Sequence, residues 1–166
     1  MAIRFGRRSG KYACFSNFYE SPIKCEGVVF GTSEALWQAL KTLDKEERLK
    51  FAYLNPSEAK RLGRRVKLRE DWEDVKYSYM VAVLELKFKQ HPDLQEILLS
   101  TGDEELIENT TGWHDNIWGD CNCAKCRGIN GQNLLGKALM EVRDYIRNED
   151  GYENLLKAIF EGDEDE

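Results

Sequence analysis

Apolar residues recur every three or four positions through 72–90, where Val75, Tyr79, Val83 and Leu86 share one face with Met80 and Leu84 beside them. The spacing predicts a long helix, which His91-Pro92 ends. The same period in Leu135, Leu139, Val142 and Ile146 predicts a last long helix over 134–148. Shorter helical patterns follow Asp44, carrying Leu49, Phe51, Ala52 and Leu54, and follow Asn55-Pro56-Ser57 as far as about residue 65; another covers 94–100, with Asp93 as its cap. Two-residue alternation is rare. The triplets 23–25 and 28–30, separated by Glu26-Gly27, read as a hairpin, and Leu106 with Ile107 as a brief strand. The fold class expected is α+β, mostly helical, with a small strand element near the N-terminus. One domain spans 1–160, closing in a turn-and-helix appendage over 151–160, and an acidic disordered tail covers 161–166.

Residues 32–41, a helix capped by Thr32 or Ser33, break the amphipathic rule. Ala35, Leu36, Trp37, Ala39, Leu40 and Leu43 make this helix apolar almost all round, yet Glu34, Gln38 and Lys41 project within about 60° of one another. A buried helix with one polar row either hydrogen-bonds that row internally or turns it towards a pocket. Glu34 either only caps the first turn or, kept ionised by the helix dipole, stabilises a developing cation.

The formal charge of −6 changes the picture less than it promises, because Glu161, Asp163, Glu164, Asp165 and Glu166 supply five of those charges and the rest of the chain carries −1. Within that body, positive charge clusters at Arg4, Arg7, Arg8 and Lys11 and again at Lys60, Arg61, Arg64, Arg65, Lys67 and Arg69. Such clusters are either solvated helical faces or sites for a phosphate-bearing ligand. A domain built for long duplex contacts is more basic than this, so a single modified base or a nucleotide-sized ligand fits better. No run is long enough to span a bilayer and no signal peptide precedes the body, which places the expected location in the cytoplasm. Five cysteines, an odd number, then argue for metal ligation or plain thiols rather than a disulfide framework.

The loop 112–133 holds most of the remaining chemistry. Asp115, Trp118, Gly119 and Asp120 offer carboxylates, a flat aromatic face and a close-approach glycine, or else an ordinary turn with a surface-anchoring Trp. Two carboxylates across one glycosidic bond are a known way to cleave it. Cys121, Cys123 and Cys126, with His114 upstream, form an incomplete but recognisable structural zinc set whose closed character argues against a catalytic metal. Phe15, Phe18 and Tyr19 around Ser16 and Asn17 either line a base pocket or belong to the core. Trp72 is a packing anchor or a ligand platform.

Taken in order, these blocks carry a resemblance. Phe15-Ser16-Asn17-Phe18, Pro22-Ile23-Lys24, Thr32-Ser33-Glu34 with Gln38-Ala39-x-Lys41, Leu62-Gly63-Arg64, Trp72-Glu73-x-Val75-Lys76, Lys87-Phe88, Asp115-x-x-Trp118-Gly119, and Asn133-Leu134-Leu135-Gly136 with Met140-Glu141-x-Arg143 together resemble the NADAR family, the YbiA-like N-glycosidases, over residues 12–147. The resemblance implies hydrolysis of a C1′–N ribosyl bond, with no cofactor required for the chemistry. The substrate it implies is a ribosyl- or ADP-ribosyl-bearing small molecule or modified guanine base, either ADP-ribosylated guanine or a phosphoribosylamino-pyrimidine intermediate of riboflavin synthesis. It implies catalytic roles for Glu34 and Asp115, with Lys41 as a nucleophile or phosphate ligand. Phe15, Asn17, Gln38, Trp72, Trp118, Gly119 and Asn133 then bind substrate, and Asp120 is a reserve carboxylate. A binding module that holds ADP-ribose-like nucleotides without cleaving them is the alternative. In the loop after Trp118-Gly119 the chain departs from simpler members, which resemble a short Gly-rich run there.

Overall fold

The computed structural model describes residues 1–148 and 159–161. Most of the appendage expected over 151–160, and 162–166 of the expected tail, lie outside the described residues; residues 159–161 are helical. The fold is α+β and mostly helical, arranged around one long helix. That helix, α4 (Trp72–Gln90), occupies the boundaries its period predicts. Its burial is wider than one face, however, since six consecutive residues from Tyr79 to Leu84 are all buried. The reason is packing on several sides: α1 (Ser33–Ala39), α5 (Pro92–Ser100), α6 (Leu134–Arg147) and strand β2 (Ile23–Cys25) all pack against it.

Strand β2 pairs antiparallel with β3 (Val28–Phe30) across Glu26 and Gly27, whose φ values of 48° and 80° suit a tight hairpin turn. Helix α2 (Lys45–Lys50) gives way to a 3-10 turn over Phe51–Tyr53, and α3 (Pro56–Gly63) starts from an Asn55–Glu58 capping box. Two expectations are corrected here. Leu43 is exposed rather than part of the buried helix, because α1 ends at Ala39 and the chain turns away before it. Asp93 sits inside the first turn of α5 and does not cap it, because Pro92, pre-set for the first helical position, starts the helix one residue earlier.

The second sheet has no counterpart in the sequence reading beyond its one brief strand. Strand β1 (Ala2–Phe5) pairs in parallel with β4 (Glu105–Glu108), residue for residue from Ala2 opposite Glu105 to Phe5 opposite Glu108. Helix α6 packs on β4, and Asn133, at φ 52°, ties the two: its Nδ2 donates to Leu106 O (2.8 Å) and its Oδ1 accepts from Glu108 N (3.0 Å). Beneath the Ser16–Asn17 segment, Lys87 is fully buried and donates to Ser16 O at 3.1 Å. Burial pushes its amine down to about 7, against a smaller opposing pull from Cys14. Among the described residues, no helix is long and apolar enough to cross a membrane.

Candidate active site

The polar row of the first helix does both things its sequence allows. Thr32 caps α1 by accepting from Ala35 N at 3.1 Å, which sets Glu34 in the first turn. Gln38 Nε2 then donates to Glu34 Oε1 at 2.8 Å, one helical turn away. The pair also lines a cavity of about 240 Å³, together with Lys41, just beyond the helix, and Trp37. Gly63 closes α3 against this row so tightly that a Cβ there would collide with Gln38 Oε1. Among the described residues that buried oxygen has no hydrogen-bond partner, so the bond from Nε2 to Glu34 is what fixes the Gln38 amide against Gly63.

Three other pieces complete the walls. Asn17 reaches the cavity from the segment after a 3-10 turn over Gly10–Phe15, accepting from Ser33 Oγ at 2.8 Å and, through its carbonyl, from Glu34 N at 3.1 Å. Strand β4 contributes Glu108, its last residue. The loop beyond it contributes Trp113, Asp115 and Trp118. Asp115 is held by its own turn: Oδ1 accepts from Ile117 N and Trp118 N, both at 2.9 Å, and its carbonyl accepts from Thr110 Oγ1 at 2.6 Å. The turn leaves Oδ2 unused. Arg7, Lys60 and Arg64 form a basic rim, with the Arg7 guanidinium 3.8 Å from the Phe18 ring centre. Past Arg7, Lys60 and Trp113 the cavity continues into a shallower groove of about 620 Å³.

The electrostatics of this enclosure are set by burial. Desolvation raises the pKa of Glu34, while the Gln38 hydrogen bond and the charges of Lys60, Lys41 and Arg7 oppose the rise. This desolvation works against the helix dipole, which favours the ionised Glu34. Glu108 is pushed to about 8, first by burial and then by the negative charges of Asp115 and Glu34. Lys41 moves the other way, its pKa lowered by burial and further by Arg64 and Lys60, with Glu34 opposing. Carboxyl groups pushed upwards beside an amine pushed downwards are the ordinary signature of acid, base and nucleophile chemistry in one site.

Residues 4–147 match the NADAR domain model. The chain belongs to the NADAR family. It is 41% identical to the N-glycosidase YbiA of Escherichia coli strain K12 over 147 residues, 87% of this chain and 88% of that protein. The NMR structure of E. coli YbiA superposes with a TM-score of 0.77 at 39% identity, covering 89% of this chain and 86% of that one. The N-glycosidase Npun_R5314 of Nostoc punctiforme is 40% identical over 154 residues, 89% and 94% of the two chains. A riboflavin biosynthesis protein of Vibrio vulnificus, VVA0006, is 32% identical over 95% of this chain but 41% of its own length. Kinship of this extent to N-glycosidases makes the chain a glycosidase enzyme.

Of the site residues expected for a NADAR protein, Glu34, Gln38, Lys41, Asn17, Asp115 and Trp118 meet at the cavity. Five others stand behind it. Phe15 is fully buried against Phe5, Tyr12 and Phe88. Trp72 backs the wall through Trp37, whose ring centre lies 5.0 Å from Trp72 and 4.9 Å from Trp118. Gly119 lets the loop pack on Glu108 and Thr110, where a Cβ would meet Thr110 Cγ2 and the Glu108 carbonyl. Asp120 is taken up by Arg4, at 3.0 Å, and by Gly131 N. Asn133 holds β4, and with it the backbone of Glu108. The sequence reading missed Glu108, Trp37, Met80 and Trp113 as lining residues. Arg7, Lys60 and Arg64 were visible in it only as members of basic clusters. His114, Cys121, Cys123 and Cys126 also converge, with their ligand atoms within 4.8 Å of one another, so this group could bind a metal such as zinc. None of the four lines the cavity.

Proposed function

We propose that this NADAR enzyme hydrolyses the C1′–N bond between a phosphate-bearing ribosyl group and a nitrogen borne by a heterocyclic base, with ADP-ribosylated guanine favoured over a phosphoribosylamino-pyrimidine. The observation that carries the reading is the convergence of Glu34, Glu108, Asp115 and Lys41 in one cavity beneath the Arg7, Lys60 and Arg64 rim. Breaking the C1′–N bond leaves positive charge on the ribosyl carbon and a nitrogen that needs a proton. Glu34, fixed by Gln38, stabilises the cation. Glu108, protonated up to about pH 8, hands its proton to the departing nitrogen. Asp115, with Oδ2 free of its turn, orients the water that adds to C1′ and accepts that water's proton. The names of the E. coli and Nostoc relatives support the bond type, and that of the Vibrio relative supports the pyrimidine class. The groove beyond Arg7 and Lys60 supports the larger substrate, because a monophosphate has no use for it and a diphosphate carrying a second nucleoside does.

Lys41 offers a second route to the same products. Its amine, with a lowered pKa, adds to C1′ of a ring-opened ribosylamine and expels the base, and water then cleaves the resulting imine to free lysine and sugar. Incubation of the enzyme with ADP-ribosylated guanine DNA and, separately, with a phosphoribosylamino-pyrimidine, followed by mass analysis of the released sugar, tests the reading. Release from the first substrate at the higher kcat/KM is expected. Release only from the pyrimidine overturns the substrate choice, and tight ADP-ribose binding with no release from either substrate leaves a binding module.

A further inference from the structure

The convergence of thiols on His114 exceeds what hydrogen bonding can account for. Its Nδ1 lies 3.4 Å from Cys121 Sγ, 3.3 Å from Cys123 Sγ and 3.5 Å from Cys126 Sγ. A ring nitrogen carries either one proton or one lone pair, so it can make one good hydrogen bond, not three. A cation at the centre removes the difficulty. With zinc–sulfur bonds of about 2.3 Å and a zinc–nitrogen bond of about 2.0–2.1 Å, the S···N edge of a regular tetrahedron is about 3.5 Å. The three distances all sit at that edge length.

The surrounding backbone is arranged around the same point. Cys123 precedes and Cys126 ends a single 3-10 turn, Ala124–Cys126, closed by Cys126 N donating to Cys123 O at 3.2 Å. His114 adopts φ 57°, a left-handed conformation uncommon for a side-chain-bearing residue and retained where the surroundings impose it. Two backbone amides of the cysteine stretch are held by side chains of the preceding segment: Cys121 N donates to Asn116 Oδ1 and Asn122 N to Thr111 Oγ1, each at 2.9 Å. Apart from that one turn, the loop 112–133 has no helix or strand of its own; backbone bonds anchor 117–120 to β4 and α6, and the stretch 121–127 is where a metal would add a tie. All five cysteines are free thiols, so no disulfide provides it.

We propose that His114, Cys121, Cys123 and Cys126 bind one zinc ion in a closed structural site that fixes the loop carrying Asp115 and Trp118 against the cavity. Three thiolates and an imidazole fill the tetrahedron and leave no position for water, so the ion takes no part in the chemistry. Its effect on the site is mechanical. Asp115 follows His114 directly in the chain, and Asn116 spans from that stretch to Cys121.

The test does not depend on any substrate. Protein purified without chelator should contain about one zinc per chain, and cobalt exchanged into it should give the intense visible absorption of a tetrahedral, thiolate-bound ion. Cys126→Ser should lower the zinc content to about one-tenth or less, whereas Cys14→Ser, altering a cysteine outside the cluster, should leave it unchanged. Should Cys126→Ser fail to fold, wild-type protein stripped by a chelator serves instead: amide exchange over 112–133 should quicken on stripping and slow again when zinc is returned. Less than about one-tenth equivalent of zinc in fresh protein, with no tetrahedral cobalt spectrum after reduction and reconstitution, overturns the site. Zinc bound at full occupancy with unchanged exchange over 112–133 on its removal overturns the mechanical role.

Discussion

Replacing Glu108 by Gln keeps its shape and removes its titration, and the consequence can be worked from the site. Burial with Asp115 and Glu34 nearby lifts this carboxyl from 4.5 to about 8. Between those pH values the folded chain holds a proton that the unfolded chain has released. The stabilisation of the protonated form is therefore fully present below pH 4.5 and is lost as pH rises through about 8. At about 1.4 kcal/mol per pH unit the ceiling is about 5 kcal/mol, and because the Glu108 side chain keeps some contact with water the expected effect is about 1–2 kcal/mol. Glu108→Gln escapes this loss. Urea denaturation of both proteins at pH 4.5, 6.5 and 8.5 should show the variant gaining about 1–2 kcal/mol on wild type across the series. A stability difference that stays the same at all three pH values would refute the picture of Glu108 as a carboxyl held neutral by its neighbours.

Activity carries its own consequences. Wild-type kcat/KM should fall on the alkaline side with an apparent pKa near 8, and Glu108→Gln should lose that limb along with most of its rate; a variant that keeps the limb removes Glu108 as the proton donor. Glu34→Gln, which preserves shape and removes charge, should lower turnover at least about tenfold, about 1.4 kcal/mol in the barrier, and unchanged turnover would sink the assignment. Borohydride added during turnover should trap a sugar adduct on wild type and not on Lys41→Met; no trapping on either eliminates the imine route.

Much of this was legible in the chain because it is local. The period that predicts α4 is a property of consecutive residues, and so is the polar row of α1, whose members need only one helix to meet. What stayed hidden depends on partners distant in sequence. Glu108 ends a four-residue strand that the sequence marks only by Leu106 and Ile107, and its place in the site depends on β4 lying beside β1, some hundred positions earlier. Trp37 reads as core by its apolar neighbours, and it is buried, yet it lines the cavity. Phe15, Trp72, Gly119, Asp120 and Asn133 show the converse: a family motif marks what the site requires, which includes the residues that hold it up as well as those that touch the ligand.

The parallel pairing of β1 with β4 also fixes when the cavity can exist. Closing a chain segment of about a hundred residues is entropically costly and slow compared with forming the helices between. Arg7 lies two residues beyond β1 and Glu108 ends β4, so the Arg7 part of the basic rim and the proposed proton donor both depend on that one long-range pairing. Without the β1–β4 pairing, α1 can still hold Gln38 against Glu34 within one helical turn, but the wall that Glu108 contributes is missing.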